Sequence, residues 1–241
     1  MFDMSRTDNR KNNELRPLIF KPDFTPNADG SVLVELGQTK VLVTAMIEEK
    51  VPHFLEGTGK GWLTAEYSLL PGSTRPRNQR EVTKGKPSGR TSEIQRLIGR
   101  SLRAAFNLNE LGPRTISIDA DVINADASTR VASICGGFVA VYKALSKLKE
   151  KKLITKIPLI EPVSAVSVGI VNGELLLDLS YNEDSKAEVD CNVVMNKSGQ
   201  IIELQMTAEG KPFSQSVVNQ MVELAYNGIL EIIKKQTEIT G

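Results

Sequence analysis

The sequence predicts a mixed α/β fold, and three patterns carry that prediction. Short β-rich runs recur along both halves of the chain. Three longer segments place apolar residues at helical spacing. The order is strands, helix, strand, helix, strands, helix, which lacks the strict alternation of a doubly wound parallel sheet. Each half reads as a few strands followed by a long helix, so the halves look pseudo-duplicated, although no direct sequence repeat is present. We expect one domain over residues 1–241, with 149–156 as the best connector between halves.

The elements follow in order. Residues 31–37 (SVLVELG) and 40–49 (KVLVTAMIEE) flank a Gly37-Gln38 turn and read as a hairpin. Residues 62–70 form another strand, and a loop rich in Pro, Gly, Arg and Thr covers 71–89. Residues 92–106 space Ile94, Leu97, Ile98, Leu102 and Ala105 along one helix face, with Arg96, Arg100 and Arg103 on another. Residues 115–123 alternate as a strand. Residues 128–151 read as a long helix despite Gly136-Gly137, where small side chains allow close packing or close ligand approach. Four more strands are expected at 163–171, 175–181, 188–196 and 201–209. A C-terminal amphipathic helix covers 213–236, with Ser214 or Ser216 as its N-cap.

Composition narrows the chemistry. At 40% hydrophobic and 24% charged residues with a net charge of +1, the chain is an ordinary globular one and wholesale disorder is excluded. No run of 18 apolar residues marks a membrane span, and the N-terminal residues lack the apolar stretch of a secretory signal. The two cysteines, Cys135 and Cys191, form no CxxC pair, which argues for a reducing cytoplasm and against a zinc site or disulfide scaffold. His53 is the only histidine and sits in a loop beside a proline, so a metal site with two His ligands is impossible. Carboxylates, arginines, hydroxyls and backbone amides remain.

The near-neutral total hides a local asymmetry. Pro71–Arg103 holds nine basic residues (Arg75, Arg77, Arg80, Lys84, Lys86, Arg90, Arg96, Arg100, Arg103) against Glu81 and Glu93. Glu174–Asp190 holds six acids against Lys186. The two segments either pair with each other or bind opposite parts of one charged ligand, a polyanion on one side and a metal ion on the other.

Three places suit that ligand. Ser128-Thr129-Arg130 opens a helix after a strand, where free amides, hydroxyls and a guanidinium fork favour a phosphate. Ser88-Gly89-Arg90-Thr91 repeats the design at the start of the Arg-striped helix. Asp178, Asp184 and Asp190 lie on a strand end, a turn and a returning strand. Clustered carboxylates repel, so such a group implies a cation such as Mg²⁺ or a shared proton. Asp119 and Asp121 share a strand face by the period of two. Two anion sites, a basic loop and an acid cluster point to phosphoryl or nucleotidyl transfer by positioning and charge stabilisation.

With these residues in view, the chain resembles the ribonuclease PH family of phosphorolytic 3′→5′ exoribonucleases almost end to end, from Leu15 to Gln236. The resemblance is carried by GSVLVELGQTKVLVTA (30–45), GWLTAEYSLLPGST (61–74), SGRTSEIQRLIGRSLRA (88–104), IDADVINADASTRVASI (118–134), AVSVGIVNGELLLDLSYNEDSKAEVDCNVVM (165–195) and TAEGKPFS (207–214). It implies the ribonuclease PH fold and a ring homo-hexamer built as a trimer of dimers. It implies RNA as partner, tRNA precursors included, with inorganic phosphate as co-substrate and nucleoside 5′-diphosphates as products. By motif, Arg90, Ser128, Thr129 and Arg130 would hold the phosphate. Asp184 and Asp190 would support Mg²⁺ or the proton transfer, with Asp178 as a nearby acid. Arg75, Arg77 and Arg80 would hold tRNA, and Arg96 and Arg100 extend that RNA-binding set. The chain departs from the family pattern at Ala127-Ser128 and Met206, where glycines are usual, and at Asn9, Asn107, Cys135 and Cys191. These departures keep a catalytically weakened RNA-binding ring subunit, or a purely structural protein, as rival readings.

Overall fold

The computed structural model describes Arg6 and residues 8–241; the remaining N-terminal residues, and the Val82 and Lys84 side chains, lie outside the described set. Two sheets form the outer layers. The first contains β1 (Leu18–Pro22), β2 (Gly30–Leu36), β3 (Thr39–Glu48), β4 (Trp62–Leu69) and β5 (Thr115–Asn124), in the order β1-β2-β3-β5-β4. The second contains β6 (Val163–Val171), β7 (Glu174–Leu177), β8 (Val189–Asn196) and β9 (Ile201–Ala208), in the order β7-β6-β8-β9. All neighbours are antiparallel except β4 and β5. That parallel pair requires a crossover, and α1 (Gly89–Ala105) provides it.

The helices fill the space between the sheets. α1 packs on β4 of the first sheet and on β6 and β9 of the second. α2 (Thr129–Glu150) packs on β2 and β3 and also on β6. The last helix, α4 (Gln215–Thr240), packs on β1 and on β6, β7 and β8. One continuous hydrophobic cluster therefore spans both sheets. The Gly136-Gly137 pair serves this packing. A Cβ at Gly136 would lie 2.5 Å from Val34, and one at Gly137 would lie 2.6 Å from Leu102. α2 is long and apolar enough to cross a bilayer, but it is the buried core helix.

The expected hairpin forms with Leu36 opposite Thr39 and Gly37 at φ 57° in its turn. Among the strands and α-helices, two elements were not expected. β1 precedes the hairpin and pairs with β2. The stretch expected as one strand over 175–181 divides: β7 ends at Leu177, Asp178 turns at φ 52°, and the four-residue helix α3 (Tyr181–Asp184) follows. α3 starts with a capping box in which Ser180 and Glu183 satisfy each other's backbone amides. Ser214 is the N-cap residue of α4, but its hydroxyl meets Ser216 at 2.7 Å and makes no capping bond.

Candidate active site

The site forms where the end of β5, the start of α2, the start of α1 and the β7–β8 connection meet. The turn before α2 is the first component. Ala127 and Ser128 both adopt left-handed backbone, at φ 57° and 52°. Each such residue costs about 1–2 kcal/mol, so the surroundings must hold the turn. Thr39 does part of this: its hydroxyl donates to the Ala127 carbonyl at 2.7 Å and accepts from the Asp126 amide at 3.0 Å. The amides of Thr129 and Arg130, at the first two positions of α2, have no intrahelical partner and are free to meet an anion.

The side chains of the three phosphate candidates on this turn, Ser128, Thr129 and Arg130, meet different partners. Ser128 does not cap α2; its Oγ lies 2.9 Å from Ser167 Oγ and 3.4 Å from Asp178 Oδ1. The Ser128 hydroxyl, expected as a donor to phosphate, is thus turned toward Ser167 and Asp178. Thr129 Oγ1 lies 2.8 Å from the Tyr67 hydroxyl. Arg130 donates to Gln205 Oε1 at 2.8 Å, which draws β9 into the site. The Ser88 hydroxyl accepts from the Thr91 amide at 3.1 Å and so caps α1, while Thr91 donates to Glu81 at 2.8 Å. Arg90 is exposed in the first turn of α1.

Arg90 and Arg130 come from separate segments, yet they act on the same groups. Burial raises the Asp184 carboxyl above its ordinary value, and Arg130, Arg90 and Arg16 pull the other way. Burial likewise raises the Tyr67 hydroxyl, opposed by the Thr129 hydrogen bond and by Arg90 and Arg130. Asp190 is pushed up to about 6, first by burial and then by the charge of Asp184, with Glu209 adding to it and Arg130 opposing. Among the described residues, Asp190 Oδ1 is buried without a hydrogen-bond partner.

Asp178 differs from the other two aspartates. It is fully buried at the β7–α3 bend, and Arg16 takes both carboxylate oxygens. Asp178, expected as a nearby acid of the catalytic set, thus has both carboxylate oxygens held by Arg16 and presents no open face. Behind it lies an ionic network that sequence reasoning missed. Arg6 forks onto Glu183 at 2.7 and 2.8 Å and donates to the Leu177 and Asp178 carbonyls. Burial opposes ionisation of Glu183, but the Arg6 and Ser180 hydrogen bonds win and hold it down at about 2. Asp126 accepts from the Tyr181 amide at 3.2 Å, tying the α2 turn to α3 and its Asp184. The available signal was arginine in an apolar context, at Leu15-Arg16-Pro17.

The basic loop is open. Arg75, Arg77 and Arg80 are exposed, as is Arg96, and none of the four forms an ion pair among the described residues. Arg100 is paired with Glu203 on β9. Asp119 and Asp121 share the outer face of the first sheet; burial raises both carboxyls, with Glu66 adding at Asp119 and Asp119 adding at Asp121, where Arg80 opposes. His53 is exposed, and Cys135 and Cys191 are buried free thiols pushed up to about 11 and about 12, mainly by burial.

Among the described residues no three His, Cys, Asp or Glu side chains gather as a metal cage. Mg²⁺ needs no such cage, because it is held by one or two carboxylates together with water and substrate phosphates. Asp184 and Asp190, with the unpartnered Oδ1, fit that donor set.

Comparison with known proteins agrees with this architecture. Residues 14–146 match the 3′ exoribonuclease family, domain 1, and residues 161–228 match its domain 2. The ribonuclease PH of Syntrophomonas wolfei subsp. wolfei is 55% identical over 238 residues, covering 99% of this chain and 100% of that protein. The Archaeoglobus fulgidus exosome, solved with RNA bound to the active site, superposes with a TM-score of 0.81 at 20% identity, covering 97% of this chain and 93% of that one. Rice (Oryza sativa) Rrp46 gives a TM-score of 0.79 at 18% identity, covering 98% and 100%. These matches over nearly the whole length place the chain in the 3′ exoribonuclease family, as a phosphate-dependent 3′→5′ exoribonuclease of the ribonuclease PH type.

Proposed function

We propose that this protein trims the 3′ ends of RNA, tRNA precursors among them, with inorganic phosphate attacking the terminal phosphodiester and a nucleoside 5′-diphosphate leaving. The observation that carries the reading is that Arg130 and Arg90, from two separate segments, both favour the charged form of the Asp184 carboxyl, on the fold of a chain 55% identical to a ribonuclease PH. A phosphate anion and a phosphodiester repel as they approach. Two guanidinium groups and the Thr129 and Arg130 amides offset that repulsion and fix the line of attack. The new bond joins a phosphate oxygen to the terminal phosphorus, the bond to the 3′ oxygen breaks, and the shortened RNA keeps a 3′-hydroxyl. Asp184 and Asp190 are the residues placed beside the leaving oxygen and would hold Mg²⁺; the proton that oxygen gains is balanced by the one the attacking hydrogen phosphate gives up. When bound, that ion would stabilise negative charge on the reacting phosphates and the departing oxygen. Contacts to phosphate carry no base identity, so weak sequence preference follows.

Arg75, Arg77, Arg80 and Arg96 are the groups proposed to hold the RNA body, since they are exposed and form no ion pair among the described residues. Arg100 contributes less, because Glu203 already takes its charge. A ring homo-oligomer, expected as a hexamer of three dimers, belongs to the same proposal. The outer face of the first sheet, which leaves Ile19, Met46 and Ile123 exposed, supports it. Unpaired buried cysteines support a cytoplasmic setting.

One experiment tests the core of this. A 3′-extended tRNA is incubated with Mg²⁺, with and without inorganic phosphate, and the released nucleotide is identified. Nucleoside diphosphates that require phosphate are expected; monophosphates released equally without it would overturn the reading.

A further inference from the structure

Ser167 joins the two halves of the site through a directed chain of hydroxyls. It lies on β6 and is 3% exposed. Its Oγ accepts from the Leu179 amide at 3.1 Å, and its carbonyl accepts from the Asp178 amide at 2.7 Å. Its Oγ also lies 2.9 Å from Ser128 Oγ, which in turn lies 3.4 Å from Asp178 Oδ1. Each hydroxyl has a single proton. The Asp178 carboxylate, clamped by Arg16, accepts only, so the Ser128 proton goes to Asp178 and the Ser167 proton goes to Ser128.

The turn that this chain reaches is held against its own preference. Ser128 sits at φ 52° and ψ 25° beside Ala127 at φ 57°, a conformation that side chains other than glycine rarely adopt. Its geometry decides where the Thr129 and Arg130 amides point. On the opposite side, the Asp178–Leu179 backbone braced by Ser167 leads within a few residues to Asp184.

We propose that Ser167 is a positioning residue for the attacking phosphate: through Ser128 it locks the left-handed turn that aims the first amides of α2 and Arg130. This rests on the phosphate site assigned above. Nothing in the arrangement requires Ser167 to touch substrate.

The test separates the Michaelis constant for phosphate from that for RNA, and from kcat, in Ser128→Ala, Ser167→Ala and the double variant. Loss of one such hydrogen bond predicts a three- to tenfold higher KM for phosphate, at about the net value of a hydrogen bond. The KM for RNA should stay within about twofold, a spread smaller than one hydrogen bond. The double variant should be no worse than the worse single one, because both changes break one chain. Multiplying effects, or an equal rise in KM for RNA, would overturn the proposal. Ser128→Gly adds a second discriminator. It relieves the backbone strain while removing the hydroxyl, so a lower KM for phosphate would overturn the locking role and a higher one supports it. If Ser167→Ala does not fold, Ser128→Ala decides alone, since Ala127 shows that alanine tolerates this backbone. Arg130→Ala distinguishes the two levels of the argument. Unchanged phosphate dependence there defeats the phosphate site itself. A raised KM there, with unchanged serine variants, defeats only the hydroxyl chain.

Discussion

Arg16 meets Asp178 through three nitrogens. Its backbone amide and Nε reach Oδ2 at 2.8 and 2.9 Å, and Nη2 reaches Oδ1 at 2.6 Å. Arg16 precedes β1 and Asp178 follows β7, so the pair joins the two sheets at the back of the site. Removing one partner of a buried pair strands the other charge, at a cost of about 3–5 kcal/mol. Asp178→Asn should therefore lower unfolding free energy in urea by that amount. Asp184→Ala should leave stability nearly intact while abolishing turnover. A fully stable Asp178→Asn protein would show that the pair does not brace the fold.

Arg130→Ala should raise the phosphate requirement by about ten- to a hundredfold, the range of one charge-assisted hydrogen bond to an anion. RNA affinity in the absence of phosphate should barely change. Phosphate titrations of the initial rate, paired with filter binding, check both halves of the statement. Equal losses in the two assays would move Arg130 from phosphate to RNA.

Asp190 supplies a pH signature. Burial and the Asp184 charge push its carboxyl from 3.8 to about 6, so the folded protein binds the proton more tightly than the unfolded chain does. Ionised Asp190 therefore costs stability above pH 6, and the cost fades as pH falls through 6 towards 3.8. In metal-free protein, Asp190→Asn should add about 1–2 kcal/mol at pH 8 after solvent screening, and nothing near pH 4. Thermal melts at the two pH values check this; a pH-independent gain would contradict it.

The basic loop should reveal itself through salt. Replacing Arg75, Arg77 and Arg80 together by Gln removes the three proposed contacts to RNA phosphates. The log–log slope of single-stranded RNA affinity against salt should then flatten by about 2, at about 0.7 per contact. The initial rate on a saturating short RNA should change little. An unaltered slope would place the RNA path elsewhere.

Regular elements were legible because their periodicity is local. The 163–171 strand matches β6, and the 128–151 helix differs from α2 by one residue at each end. β1 was missed because Leu18–Pro22 is short and includes a proline, and its strand character comes from pairing with β2. α3 was missed because four residues carry no period. The arginines and aspartates of the site were legible as residue types, but their division of labour was not. Nothing local separates Asp178 from Asp184; only the fold places Arg16 against one and leaves the other near Arg90. The hydroxyl of Ser128 turned inward for the same reason, since its partner Ser167 is 39 positions away in the chain.

The Arg6–Glu183 fork closes a loop of 177 positions. A nascent polypeptide emerges from its N-terminal end and folds in that order, so Arg6 has no carboxylate to grip until Glu183 has emerged, and Asp184 and Asp190 emerge later still. The ribonuclease thus stays unarmed through most of its own synthesis, while it is still tethered beside the messenger that encodes it.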